Sequence, residues 1–365
     1  MDNRSKSKDI VFLLGAGTSA EANIPTSADM IGRIESMLAK EDKWIKFSKL
    51  YNHVKNSIYY SAGLRGYFNK QINYNIEVLV NTLYELEKNE EHPLYPFIAA
   101  WNSRFVALAQ PDFSGVKDFR RLILGALKGW MCPEDTSLGD YYGGLTTLQK
   151  DLTFPLPVFS LNYDLCVERL ADRDFRIETG FAGFGTKHVW DWERFDDSGP
   201  NPTPQILLYK IHGSINWKRD DSTKQLFSVE QVQNIDPDRM EIIFGRDFKL
   251  EAADPYLFYA YEFRRYMFIA KLIVVIGYGF GDAHINKMLA QGIKDDNTRR
   301  LLVVGKCDGE SPDTKICEIA RRLELGETEK QQLIFRDNTA KQFLGTPDLS
   351  KILLETIPKN PNSPF

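Results

Sequence analysis

The chain has 365 residues, 43% of them hydrophobic, and a formal net charge of −4. That length suits one large α/β domain with an inserted part, and the acidic balance excludes a broad basic surface for direct nucleic-acid binding. The four cysteines, Cys132, Cys166, Cys307 and Cys317, are not spaced as zinc ligands, so no metal site is expected.

Met1 to Asp9 is polar, and the apolar run after it is too short for a signal peptide or a membrane span. No membrane association and a cytoplasmic location are therefore expected. Ile10 to Leu14 reads as a buried strand that ends on Gly15-Ala16-Gly17, with helix-compatible sequence from Thr18 and Ser19. Strand, glycine turn and helix start make a pyrophosphate site, because glycine admits close backbone approach and a helix N-terminus offers free N–H groups. The usual third glycine is absent. Ala22-Asn23-Ile24-Pro25 stops the helix after about one turn, since Pro25 restrains the residue before it.

Residues 30–150 read as a mainly helical insertion. Ile72, Ile76, Leu79, Val80, Leu83 and Leu86 fall at helical spacing, and the stretches from Trp101 to Leu108 and from Phe119 to Trp130 read the same way. These stripes fit a helical-layer core. Trp101, Phe105 and Trp130 are aromatic candidates for subunit contacts. Pro157 to Leu161 is a second strand, closed by Asn162-Tyr163-Asp164, where an Asx turn and helix cap is the common structural role. Gly180 to Pro204 is a second insertion with Trp190, Trp192 and Phe195, either covering a substrate or packing on the domain.

Ile206 to Ile211 is a third strand, followed by His212-Gly213-Ser214. A lone histidine is more often structural, but His212 stands at a strand end beside a glycine, and imidazole transfers protons near neutrality. His212 is the candidate base and His284 the runner-up. His53 and His92 lie in polar helical stretches, and His188 lies in an aromatic, acidic loop. Lys271 to Ile276, apolar on both faces after Lys271, belongs in mid-sheet. It leads into Gly277-Tyr278-Gly279-Phe280-Gly281-Asp282 and a helix from His284. Leu301 to Val304 reads as the final strand, and the pairs Arg264-Arg265, Arg299-Arg300 and Arg321-Arg322 read as surface or subunit contacts. Loops after parallel strands gather at one sheet edge, so Gly, Asn, Asp and His on four of them describe a dinucleotide site with one acid/base group. The expected fold is a Rossmann-like α/β parallel sheet with helices on both faces and a large helical insertion. Residues 1–310 would form the nucleotide-binding domain, and residues 311–365 a C-terminal helical extension and tail.

Gly15-Ala16-Gly17-Thr18-Ser19 with Asn23-Ile24-Pro25, Asn162-x-Asp164 and His212-Gly213 resemble the sirtuin family. Three departures count against deacylase chemistry: Thr26-Ser27-Ala28 after the proline, no Gly-Thr-Ser after the Leu272–Ile276 run, and no zinc module. The Gly-Tyr-x-Phe-x-Asp-x-His-Ile-Asn segment from Gly277 to Asn286 resembles divergent sirtuin-like domains of bacterial antiphage defence. The resemblance implies NAD+ as a substrate hydrolysed to nicotinamide and ADP-ribose, with His212 as base and Asn162 holding water or ribose. It implies NAD+ contacts from Gly15, Ala16, Gly17, Thr18, Ser19, Ile24, Pro25, Asp164, Gly277, Tyr278, Gly279, Phe280 and Asp282. A sirtuin-type ADP-ribosyl or acyl transferase, or a non-enzymatic NAD or ADP-ribose sensor, are the alternatives. It further implies control by homo-oligomerisation or by a separately encoded partner, such as a hexameric DNA-translocase-type ATPase or a short Argonaute-type protein.

Overall fold

The computed structural model describes residues 8–68, 72, 74–87, 103–110, 113–182, 187–196, 205–243 and 254–357. Among them the strands are β1 (Ile10–Leu14), β2 (Leu156–Ser160), β3 (Ile177–Glu178), β4 (Phe181–Ala182), β5 (Lys187–Trp190), β6 (Ile206–Lys210), β7 (Trp217–Arg219), β8 (Leu226–Val229), β9 (Leu272–Ile276), β10 (Arg300–Gly305) and β11 (Leu333–Asp337). Seven of these form one parallel sheet in the order β11-β10-β9-β1-β2-β6-β3. The short strands form a separate antiparallel sheet, β4-β5-β8-β7.

The central strand explains its own position. All five β1 residues are fully buried, and alternate side chains enter different cores. Ile10, Phe12 and Leu14 join the cluster built with the insertion helices, such as Ser27–Lys40, Ile76–Glu87 and Ser114–Met131. Val11 and Leu13 join the cluster built with the helices Tyr256–Ile269, Ala283–Asp295 and Pro312–Arg322. Fully burying such an aliphatic side chain stabilises the fold by about 1.5–3 kcal/mol, so a run apolar on both faces is driven to mid-sheet.

The sheet continues beyond the strand expected to end it. Leu333–Asp337 pairs in parallel with β10, so residues 311–337 belong to the sheet and its crossover and not to a helical extension. A half-exposed edge strand ending Arg336-Asp337 lacks the apolar run that marks its inner neighbours. The helix Ala340–Leu344 then returns to the 3-10 helix Ala16–Ala22 behind β1. Arg299 is also placed differently from its expected surface position. It is buried, and its guanidinium donates to the Ala270 and Phe268 carbonyls at 2.6 and 2.7 Å.

The strand order reverses between β1 and β9, and the loops that leave these two strands touch through their backbones. The Gly15 amide donates to the Ile276 carbonyl at 2.9 Å and the Gly17 amide to the Gly277 carbonyl at 2.8 Å. A Cβ on Gly15 would stand 2.6 Å from the Tyr278 Cα, and one on Gly17 would stand 2.9 Å from the Gly277 Cα. Gly279, by contrast, faces open space. Gly17→Ala is expected to destabilise the protein by about 1–3 kcal/mol through overpacking, and Gly279→Ala by less than about 0.5 kcal/mol. Chemical denaturation of the two variants against the parent checks this.

Candidate active site

Asn162 and His212 occupy equivalent positions on neighbouring strands. Ser160 of β2 is in register with Lys210 of β6, and each functional residue follows two positions later. The two turns are tied together: the Ile211 amide donates to the Ser160 carbonyl at 3.0 Å, and the Ile215 amide to the Tyr163 carbonyl at 3.1 Å. Gly213 has φ +81°, and a Cβ there would collide with the Glu241 carbonyl. The histidine turn therefore requires glycine at this position.

Ser19 is the hub of the first half of the site. Its hydroxyl donates to Asp164 Oδ2 at 2.7 Å. Its proton being committed, it accepts from the Tyr142 hydroxyl at 2.8 Å and from Asn162 Nδ2 at 3.1 Å. Burial, followed by the Asp164 charge, pushes the Tyr142 phenol well above its ordinary pKa, which keeps it a donor. This order of donors fixes the Asn162 amide with Nδ2 towards Ser19. It leaves Oδ1 buried without a protein partner. An unpaired buried amide oxygen is costly and marks a place for a water or a ligand hydroxyl.

His212 supplies the second half. It is 7% exposed, and its Nε2 lies 3.1 Å from Asp282 Oδ2. The other oxygen, Asp282 Oδ1, accepts from the His284 and Ile285 amides and caps the helix Ala283–Asp295. Burial opposes ionisation of Asp282, but the hydrogen bond and charge of His212, with those two amides, hold its carboxyl below the usual carboxylate range. An ionised Asp282 accepts a hydrogen bond from Nε2–H, which leaves Nδ1 as the unprotonated nitrogen of a neutral imidazole. Among the other histidines, His284 is exposed, His53 stacks on Phe105, His188 lies 4.0 Å from Glu230, and His92 falls outside the described residues.

Several residues expected to contact a nucleotide are used by the protein itself. Thr18 is fully buried and donates to the Ile276 carbonyl at 2.7 Å. Ile24 and Pro25 are buried behind Asn23, which takes the left-handed conformation that ends the 3-10 helix Ala16–Ala22. Phe280 is buried, and the Tyr278 hydroxyl bonds Asn286 Oδ1 at 2.9 Å and receives the Asp282 amide at 3.1 Å. Arg322 donates to the Gly279 carbonyl at 3.0 Å. The physical reason is loop packing: the glycines bring the two loops so close that their amides and side chains satisfy one another. Ala16 and Gly17 stay half-buried and Gly279 exposed at the rim. A cavity of about 330 Å³ opens there, at the ends of β9 and β10, lined by Gly277, Tyr278, Gly279, Lys306, Lys315 and Arg322. A larger groove of about 680 Å³ lies in the helical layer beside Trp44, Phe47 and Trp130, and no candidate site residue lines it.

Two elements bring residues beside the site that escape a motif reading. Glu77, on the first turn of the helix Ile76–Glu87, has its carboxyl pushed up by burial, then drawn down by the charge of His212 and pushed up by that of Asp282. Tyr141 and Tyr142, at the end of the insertion, bond the Thr18 carbonyl and Ser19. Neither carries a local signal, since a glutamate on a helix and tyrosines beside a turn are ordinary surface patterns. Of the aromatic residues offered for subunit contacts, Phe105 is buried, Trp130 is half-buried over Arg33, and Trp101 lies outside the described residues. Among the described residues, no group of three or more His, Cys, Asp or Glu side chains could hold a metal ion, and no helix is long and apolar enough to cross a membrane.

A parallel sheet whose strand-end loops carry these groups has the architecture of a Rossmann-like protein. Residues 157–325 match the family model described as a SIR2-like domain. Among solved structures, it is similar to a Sir2 homologue–NAD complex at 14% identity, covering 98% of this chain and 95% of that one, with a TM-score of 0.42. It is also similar to a Sir2 homologue mutant bound to 2′-O-acetyl ADP-ribose at 15% identity, covering 99% and 100%, with a TM-score of 0.42. No curated protein matches the sequence.

The depressed Asp282 value has a testable sign. A carboxylate whose folded pKa lies below its unfolded one stabilises the protein above the ordinary range, and that contribution is lost as pH falls through the folded value. Asp282→Asn keeps a side chain able to cap the helix but removes the charge. It is expected to cost about 1–2 kcal/mol at neutral pH and to show a shallower loss of stability below about pH 4. Urea midpoints followed from neutral pH into the acid range decide the matter.

Proposed function

We propose that this protein is an NAD+ hydrolase, releasing nicotinamide and ADP-ribose, and that it acts in antiphage defence by depleting cellular NAD+. The observation that carries the reading is the buried, unpartnered Oδ1 of Asn162, in register with the histidine turn on the neighbouring strand. A pure binding site needs no general base, whereas a hydrolase needs a held water and a proton acceptor. The SIR2-like family match and the NAD or ADP-ribose complexes named for structures of similar fold point to the same substrate. The defence role rests on the resemblance of the Gly277–Asn286 segment to domains of that kind.

Asn162 Oδ1 accepts a hydrogen bond from the attacking water or from a ribose hydroxyl. His212 accepts the proton at Nδ1, while Asp282 holds Nε2–H and stabilises the imidazolium that forms. The cavity beside Gly279 and Lys306 suits the adenosine half. When bound, NAD+ supplies the scissile nicotinamide–ribose bond. Contacts made far from that bond supply binding energy used at the reacting centre.

His212→Ala and Asn162→Ala are each expected to lower nicotinamide release by about 100-fold or more, the scale of losing a general base, and a metal chelator is expected to leave the parent rate unchanged. Near-parental release by a folded His212→Ala variant overturns the assignment. Control of such an activity calls for assembly, and we infer a closed homo-oligomer or a complex with a separately encoded regulator, of translocase-ATPase or short Argonaute type. Light scattering across a concentration series, paired with the nicotinamide assay, is expected to show activity changing with assembly. A monomer active at every concentration, and indifferent to co-encoded proteins, refutes this.

A further inference from the structure

Lys210 closes β6 with an ammonium group inside the protein. The residue is 1% exposed, and burying an ammonium group is costly unless its donors are used. Nζ donates to the Asp164 backbone carbonyl and lies 3.1 Å from Glu168 Oε1. The Lys210 carbonyl accepts the Gly213 amide at 3.0 Å. One residue thus grips the loop that bears Asn162 with its side chain and the turn that bears His212 with its backbone.

The same loop is also tied to the His212 turn at Tyr163, whose carbonyl accepts the Ile215 amide at 3.1 Å and the Ser214 hydroxyl at 3.3 Å. The Asn162 amide donates to Ser160 Oγ at 3.1 Å, and Asp164 Oδ1 accepts the Cys166 amide at 2.9 Å. Both bonds are internal to the segment and fix its shape. Ser19 holds it from the β1 side. From the β6 side, the Asp164 carbonyl is held by Lys210. The ion pair alone does not account for this arrangement, because neutralising Glu168 requires no contact with Asp164.

We propose that Lys210 is a positioning residue that holds the Asn162–Asp164 loop at a fixed distance from the His212 turn. The proposal rests on the hydrolase reading for its effect on turnover, but the restraint itself can be measured without turnover. Burial pushes the Glu168 carboxyl up and the Lys210 charge draws it back, so removing Lys210 alone also strands a buried acid. The test therefore uses Lys210→Met and the double variant Lys210→Met with Glu168→Gln, in which no buried charge is left unpaired.

In both variants kcat for nicotinamide release is expected to fall about 10- to 100-fold, the scale of a small misplacement of a reacting group. KM for NAD+ is expected to stay within about threefold, since transition-state geometry and not uniform binding is lost. Amide hydrogen exchange is expected to quicken at residues 160–166 and not in the strand Leu272–Ile276. If the double variant recovers the parental kcat, Lys210 only neutralises Glu168 and the proposal is wrong. Unchanged exchange at residues 160–166 overturns it equally. Should Lys210→Met fail to fold, the double variant decides. A parent that releases no nicotinamide defeats the hydrolase reading, and exchange at the loop then tests the restraint alone.

Discussion

The site depends on the contact between two backbones, where the loop leaving β1 meets the loop leaving β9. Gly15 and Gly17 donate to the carbonyls of Ile276 and Gly277 at a separation that no side chain would allow. Because these strands flank the point where strand order reverses, the contact closes the base of the crevice in which a sheet of this kind binds ligands. The candidate site is arranged around that closed base. On one side the Gly277–Asp282 loop is stitched by Tyr278, Asn286 and Arg322, and it delivers Asp282 to His212. On the other, Ser19 is delivered to Asp164 and Asn162.

A single hydroxyl therefore couples distant parts of the chain. Ser19 receives Tyr142 from the end of the helical insertion and holds the asparagine that closes β2. Tyr142 is buried, and it reaches the site through that bond. A displacement of the insertion would remove a donor from Ser19 and loosen the order of protons that points Asn162 Oδ1 outward. The imidazole of His212 is oriented instead by Asp282, on the far side of the sheet centre.

Legibility in the sequence followed apolarity. β1 and β9 are uninterrupted apolar runs buried on both faces, β2 and β6 are apolar runs closed by Ser160 and Lys210, and each could be read together with the loop that ends it. β3 is two residues long, and β11 alternates into charge at an open edge, so neither carries such a run. The small antiparallel sheet is built from strands of two to four residues, too short to show a period, and its central pair, β5 and β8, is drawn from distant parts of the chain. Within the site, residue types were legible but their partners were not. His212 stood out by its position, whereas the carboxylate that orients it comes from a loop 70 residues away. Thr18 and Phe280 sat in the expected loops yet turned inward, because two glycine loops packed on each other leave their neighbours no room at the surface.

The place of β1 in the sheet has a consequence during synthesis. Its five residues are made before both of its neighbours, which come from residues 156–160 and 272–276. Contacts between segments so far apart form late and slowly, because the intervening chain must first be ordered. A nascent chain that has not yet reached residue 282 has β6 and its histidine but lacks the aspartate that sets the histidine's tautomer. It also lacks the loop that closes the crevice. The candidate site is therefore incomplete until residues 277–282 have been translated, a consequence of strand order alone.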